Sequence, residues 1–326
     1  QYGLRYSFFN YLGNNDSIFD YNEAGNATSS QFYNRHETAK FYGGFEPRLA
    51  AKYMLNEVSS IKASYNRNYQ YIHLLSNATT SSPTDSWVPS SNNVKPQIID
   101  QFALGYFRNF KKNAYEFSVE GYYKNLQNQI DYKDGADLFL NGEVERELTY
   151  GSGIAYGAEF YLKKRKGKFT GWLSYTYSRS LRKFDAINNG EYYPARQDLI
   201  HDISAVGIYK FNDKWTASAS WVYTTGLAVT YPAGGYQIEG VNVPYYSGRN
   251  QSRFPDYHRM DVGVTWYNKK TDKFESNWNF SIYNVYGREN TFSIAFIDDE
   301  NNPGQTVAEQ TALFKIIPSV TYNFKF

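Results

Sequence analysis

A chain of 326 residues with 20% charged side chains and a formal charge of +2 is too evenly balanced to be built for nucleic acid. It has no cysteine, which removes disulfides and thiolate metal sites. Mean hydropathy is −0.64 and no run comes near the ~18 consecutive apolar residues of a membrane-crossing helix. Neither fact counts against a membrane β-barrel, in which only alternate residues face lipid. Aromatics make up 19%, with 33 Tyr against 23 Phe and 6 Trp. That excess of Tyr suits rings with an apolar body and a wet tip, as at a membrane interface.

Period-two alternation marks strands along the chain, because successive side chains of a strand point to opposite faces. Tyr2, Leu4, Tyr6 and Phe8 carry the first, and a polar stretch follows from roughly Asn10 to Phe45. Leu49, Ala51, Tyr53 and Leu55 carry the second, and Ile61, Ala63 and Tyr65 the third, which runs on through Tyr69-Gln70-Tyr71. Phe102, Leu104 and Tyr106 predict the fourth; Tyr115, Phe117, Val119 and Tyr123 the fifth; Ile154, Tyr156, Ala158, Phe160 and Leu162 the sixth. Phe169, Leu173, Tyr175 and Tyr177 predict the seventh, and a weaker pattern from Asp202 to Phe211 the eighth. Trp215, Ala217, Ala219, Trp221 and Tyr223 alternate with Thr and Ser in the ninth. Met260, Val262, Val264 and Trp266 carry the tenth, and Trp278, Phe280 and Ile282 the eleventh.

The closing stretch from Leu313 to Phe326 is the most two-faced. Phe314, Ile316, Pro318, Val320, Tyr322, Phe324 and Phe326 share one parity. Lys315, Ser319, Thr321, Asn323 and Lys325 share the other, with Leu313 and Ile317 as its apolar members. Such a strand borders two solvents, lipid on one side and a wet lumen on the other. The connections alternate between short polar or basic turns, such as 163–168, and long loops, such as about 76–96 and 231–256. Tight periplasmic turns and long extracellular loops are the asymmetry of outer-membrane barrels, and an even count puts both termini at the short-turn end. The expected fold is therefore all-β: a transmembrane antiparallel up-and-down β-barrel with about 12 strands in this chain. Gln1 is not a start residue and no signal peptide precedes it, so the chain reads as a mature product or as a piece of something larger.

Five segments carry a family resemblance. They are F-E-P-R-L at 45–49, S-Y-N-R-N-Y-Q-Y-I at 64–72, F-P-D-Y-H-R-M-D-V at 254–262, N-V-Y-G-R-E-N at 284–290 and I-P-S-V-T-Y-N-F-K-F at 317–326. Together they resemble the C-terminal half of TonB-dependent outer-membrane receptors, of the kind common in Bacteroidetes. The resemblance implies that residues 1–326 are the second half of a plugged barrel of about 22 strands. It implies uptake of a scarce or bulky ligand (iron chelate, glycan, peptide or vitamin) across the outer membrane of a Gram-negative bacterium. The partners it implies are outer-membrane lipid, the barrel-assembly machinery reading the strand that ends in Phe326, and a surface lipoprotein. It also implies the TonB complex, acting through a plug that matches nothing in this chain. Two alternatives stay open: a complete twelve-stranded passive channel, and an outer-membrane hydrolase with its site at the barrel rim.

No phosphate loop and no zinc motif occurs, and no cofactor is expected. His36, His73, His201 and His258 fall in no metal-ligand spacing. His201 beside Asp202, or His258 near Asp261, could be imagined as a catalytic pair, but no nucleophile accompanies either, so no enzyme is expected. Asp298-Asp299-Glu300 could offer oxygens to calcium, but a solvated loop tip is the better reading of the run, and no metal site is expected. Ligand contacts are expected from loop aromatics and arginines: Trp87, Tyr192, Tyr193, Arg196, Tyr245, Tyr246, Arg249 and Arg253. Aromatic faces and guanidinium groups suit sugars, iron chelates and anionic ligands alike.

Overall fold

A computed structural model of the chain describes residues 1–75, 86–137, 141–239, 241–271, 274–299, 302 and 305–326. Twelve long strands form its main sheet: β1 (Tyr2–Leu12), β2 (Thr38–Asn56), β3 (Ser59–Gln70), β4 (Gln97–Phe110), β5 (Tyr115–Tyr132) and β6 (Leu148–Lys164), then β7 (Phe169–Lys183), β8 (His201–Lys210), β9 (Trp215–Thr224), β10 (Tyr257–Lys270), β11 (Glu275–Tyr283) and β12 (Ile317–Lys325). Each is antiparallel to the next in chain order, and β1 and β12 lie at the two edges. Among the described residues there is no α-helix.

The register turns the alternation of each strand into two continuous surfaces. One cross-strand row runs Ala63, Leu104, Gly121, Ala158, Tyr177 and His201. The row beside it, on the opposite face, runs Lys62, Gly105, Glu120, Glu159, Thr176, Asp202 and Thr224. The apolar face lies open: Phe45 is 60% exposed, Phe102 53% and Phe280 45%. Apolar surface of this extent is a docking surface for lipid rather than for water. Aromatic pairs line its short-turn end, with Phe110 on Tyr115 at 5.2 Å, Trp215 on Trp266 at 6.0 Å and Trp278 on Tyr322 at 4.8 Å. They form a girdle where an interface would fall.

Fully buried apolar side chains sit instead at the long-loop end. One cluster joins Leu75, Val88, Val94, Ile130, Tyr132 and Leu148, and a second joins Phe184, Ile187 and Tyr193. The loops pack and the wall does not, because the wall's apolar face is reserved for lipid.

Several strands run further than alternation predicts. β2 begins at Thr38, inside the stretch read as loop, while β5 continues to Tyr132 and β6 begins at Leu148. Beyond the apolar band both faces of these strands meet water or loops, so nothing enforces alternation, and Asn125, Gln127, Asn128 and Gln129 read as loop residues. In the other direction, β12 begins only at Ile317, so Leu313 to Ile316 precede the closing strand. The first long loop holds its own hairpin, Asp16–Tyr21 against Ala27–Tyr33.

Candidate functional site

The long loops converge at one end of the sheet and are held by two polar knots. The first joins the hairpin of the first loop to the segments before β4 and β6. Asn92 donates through its amide to Phe19 O at 2.9 Å and Asp20 Oδ1 at 2.7 Å. Asn93 donates to Phe19 O at 2.9 Å and to Glu145 Oε2 at 2.6 Å. Hydrogen bonds from Ser29 and Asn92 hold the Asp20 carboxyl below the ordinary carboxylate range. Lys133 closes the knot by donating to Arg146 O at 2.7 Å.

The second knot is built on two buried carboxylates. Asp131, at the end of β5, meets Arg249 Nη1 at 2.9 Å and Arg182 Nη1 at 3.5 Å, and accepts the Tyr193 hydroxyl at 3.0 Å. Arg249 also donates to Tyr132 O at 2.7 Å and Asp134 Oδ1 at 2.6 Å. Burial, reinforced by the charge of Asp131, pushes the Tyr193 phenol well up, so it stays a neutral donor. Asp198, 1% exposed, pairs with Arg253 and accepts the Ser180 amide at 2.5 Å. Asn188 and Arg249 exchange amide bonds at 3.0 and 2.7 Å, and Asn250 donates to Pro194 O at 3.0 Å. Three loops, those after β5, β7 and β9, are thereby tied together.

The eight expected contact residues divide between this framework and the open surface. Tyr193 (2% exposed), Arg249 (7%) and the half-buried Arg253 spend their polar atoms on Asp131 and Asp198. Trp87, Tyr192, Arg196, Tyr245 and Tyr246 are exposed. Trp87 lies in a hairpin of Ile72–Leu75 with Ser86–Pro89, and Tyr245 in one of Gly234–Ile238 with Val241–Tyr245. The expectation passed over Asp131, Asp198, Asn93 and Glu145, because a lone acid or amide in a loop carries no local mark of the partner it will meet.

The imagined catalytic pairs are separated by the pleat. His201 follows the outer row and bonds Tyr175 Oη through Nδ1 at 3.0 Å, while Asp202 points to the inner face. His258 bonds Tyr286 Oη at 2.8 Å on the outer side, and Asp261, three residues on, faces inward beside Arg259. Of the acidic run at 298–300, Glu300 lies outside the described residues, and Asp299 accepts the Asn302 amide at 2.8 Å. Among the described residues no group of three or more metal-ligating side chains converges.

Inside the wall, Glu120 and Glu159 are direct cross-strand partners, and no cation pairs with either among the described residues. Toward the short-turn end, a hollow of about 400 Å³ is lined by Lys163, Trp172, Val206 and Ile208 among others.

Comparison with known proteins agrees with this architecture. The chain is similar in fold to the ferric-catecholate import receptor Fiu of E. coli K12, with TM-score 0.56 and 12% identity over 91% of this chain and 37% of that one. It is similar to the ferripyoverdine receptor of Pseudomonas aeruginosa, with TM-score 0.57 and 15% identity over 92% and 34%. It is also similar to the siderophore receptor PiuA of Acinetobacter baumannii, with TM-score 0.56 and 15% identity over 92% and 38%. The chain thus spans little more than a third of the length of these receptors. No curated protein sequence matches it. The family model for the TonB-dependent receptor-like β-barrel matches residues 1–286, and the chain belongs to that family.

Proposed function

We propose that this chain is the C-terminal part of the barrel of an outer-membrane transporter that takes up a scarce or bulky ligand and is driven through TonB. The observation that carries the reading is the two-faced sheet: a lipid-type surface outside, a charged and hydroxylated wall inside, and every long loop at one end. A wall that sets Glu120 opposite Glu159, neither in an ion pair among the described residues, suits a lumen filled by a further, cation-bearing segment, since like charges directly opposite destabilise a strand pair. That occupant is the plug of the family reading. Trp87, Tyr192, Arg196, Tyr245 and Tyr246 then form the ligand-facing surface, with Tyr193, Arg249 and Arg253 as the framework beneath it.

A ferric chelate is the ligand class to test first, because the solved neighbours are named for ferric-catecholate, ferripyoverdine and siderophore recognition. Aromatic faces and the exposed Arg196 guanidinium suit an anionic chelate that carries aromatic rings. The test is uptake of radiolabelled iron chelates by cells with and without the full-length protein, with and without an uncoupler of the proton-motive force. Uptake that needs both the protein and the force supports the reading. Uptake that ignores the uncoupler replaces it with the passive channel. Trp87→Ala with Tyr245→Ala should lower uptake at least about tenfold, as the loss of two aromatic anchors does.

A further inference from the structure

The short-turn end of the outer face carries a charge concentration that ligand uptake does not use. Lys111 and Lys112 occupy the β4–β5 turn, Lys164 ends β6, Lys166 and Lys168 follow it, and Arg108 lies near the end of β4. The two turns form one surface, because the Arg165 amide donates to Ala114 O at 2.8 Å and the Lys166 ammonium to Lys112 O at 2.8 Å. Glu116, the nearby acid, is taken by Arg165. Arg108, Lys111, Lys112, Lys164, Lys166 and Lys168 therefore have no carboxylate partner among the described residues.

The cations are interleaved with the aromatic girdle. Lys111 Nζ lies 5.4 Å from the Tyr115 ring centre and Lys164 Nζ 5.5 Å from that of Phe169. Phe110 stacks on Tyr115, and Tyr209 meets Phe211 edge-on at 4.8 Å in the neighbouring strand pair. The turn itself is strained: Lys111, Lys112 and Asn113 hold φ of 51°, 55° and 60°, a region that L residues other than Asn enter at a cost. Two lysines are thus displayed side by side where glycine would be easier.

We infer that this patch is a binding site for the phosphate headgroup of an anionic glycerophospholipid. The ammonium groups meet the phosphodiester, the rings lie at glycerol depth, and the apolar outer rows continue upward along the acyl chains. Continuity with that apolar face favours a lipid over an acidic protein segment, which would cover the cations and leave the rings in contact with nothing. The inference rests on the membrane-barrel reading above.

The test is native mass spectrometry of the full-length protein in detergent, titrated separately with phosphatidylglycerol and phosphatidylcholine. Phosphatidylglycerol should be retained at a concentration at least about tenfold lower, as several surface cations acting together provide. The variant Lys111→Gln, Lys112→Gln, Lys164→Gln, Lys166→Gln should abolish the preference, and Lys40→Gln with Lys95→Gln, at the other end of the molecule, should keep it. Equal retention of both lipids, or a preference that survives the fourfold change, overturns the inference. So does capture of a glutamate-rich peptide in place of phosphatidylglycerol. If the fourfold variant does not fold, the wild-type preference must instead vanish as ionic strength rises, and persistence in high salt overturns the inference equally. Failure of the membrane reading looks different: the protein then inserts into neither neutral nor anionic vesicles.

Discussion

Arg249 and Asp131 meet at 2.9 Å although the β6, β7, β8 and β9 strands lie between them in the chain. Arg249 is 7% exposed and Asp131 8%, so protein groups solvate both: Asp131, Asp134 and the Tyr132 carbonyl around the guanidinium, Arg249, Arg182 and Tyr193 around the carboxylate. Removing Arg249 takes away the nearer cation and leaves Asp131 with Arg182 at 3.5 Å and the Tyr193 hydroxyl, so the cost falls toward the lower end of the about 3–5 kcal/mol of a stranded buried charge. Arg249→Ala should therefore release the segments around Asn188 and Tyr193 in hydrogen exchange, while the exchange of β9 and β10 stays as it was. Tyr193→Phe, which removes one hydrogen bond to a charged group, should release the same segments by only about 1.5–3 kcal/mol. Equal and unchanged exchange in both variants would show that the loops are held by something other than this pair.

Gly226 opens the loop between β9 and β10 at a point where the chain passes itself closely. A Cβ there would sit 1.7 Å from Phe254 O, and the Gly226 carbonyl accepts Arg253 at 2.9 Å. Backbone cannot swing aside as a side chain can, so Gly226→Ala should part the two loop stems and lose both Asp198–Arg253 and the Gly226 amide bond to Asp256. The check is ligand uptake together with trypsin sensitivity at Arg249 and Arg253. Wild-type protection of both sites would refute the close approach.

His73 is 1% exposed, contacts Ser90 Oγ at 3.1 Å through Nε2, and has no partner for Nδ1 among the described residues. Burial holds its imidazole below the ordinary value of 6.5. The native state is then neutral where the unfolded state begins to bind a proton, so stability rises with pH across that window. Protection of Ile72–Leu75 and Ser86–Pro89 should be full above the ordinary pKa and decline as pH falls from about 6.5 toward the depressed folded value. His73→Gln should flatten this profile, and hydrogen exchange at pH 7 and pH 5 measures it.

Glu120 facing Glu159 makes a signed prediction for the wall. In the plug-free barrel, Glu159→Gln should stabilise by about 0.2–1 kcal/mol, the scale of a like-charge cross-strand pair. With a cationic plug segment in place the same change should destabilise. Thermal melting of refolded barrel and of intact protein compares the two directly, and a shift of the same sign in both rules out a cation opposite the pair.

Within the wall, the sequence by itself determined nearly everything that depends on neighbours two residues apart. The alternation in Trp215 to Thr224 or Phe169 to Tyr177 names the lipid side and the lumen side, and twelve such runs with two kinds of connection identify the architecture. That code is local because the pleat is local. It fails where the solvent on the two faces becomes the same, which is why the upper reaches of β5 and β6 read as loop. Only the tertiary structure decided which loop residues are exposed and which are framework. Tyr192 and Tyr193 are neighbours in the chain, yet one lies open and the other is sealed against Asp131. Only the register, likewise, set Glu120 against Glu159 and put His201 and Asp202 on opposite faces. These outcomes depend on partners brought in from distant parts of the chain, and a residue's own neighbours carry no record of them.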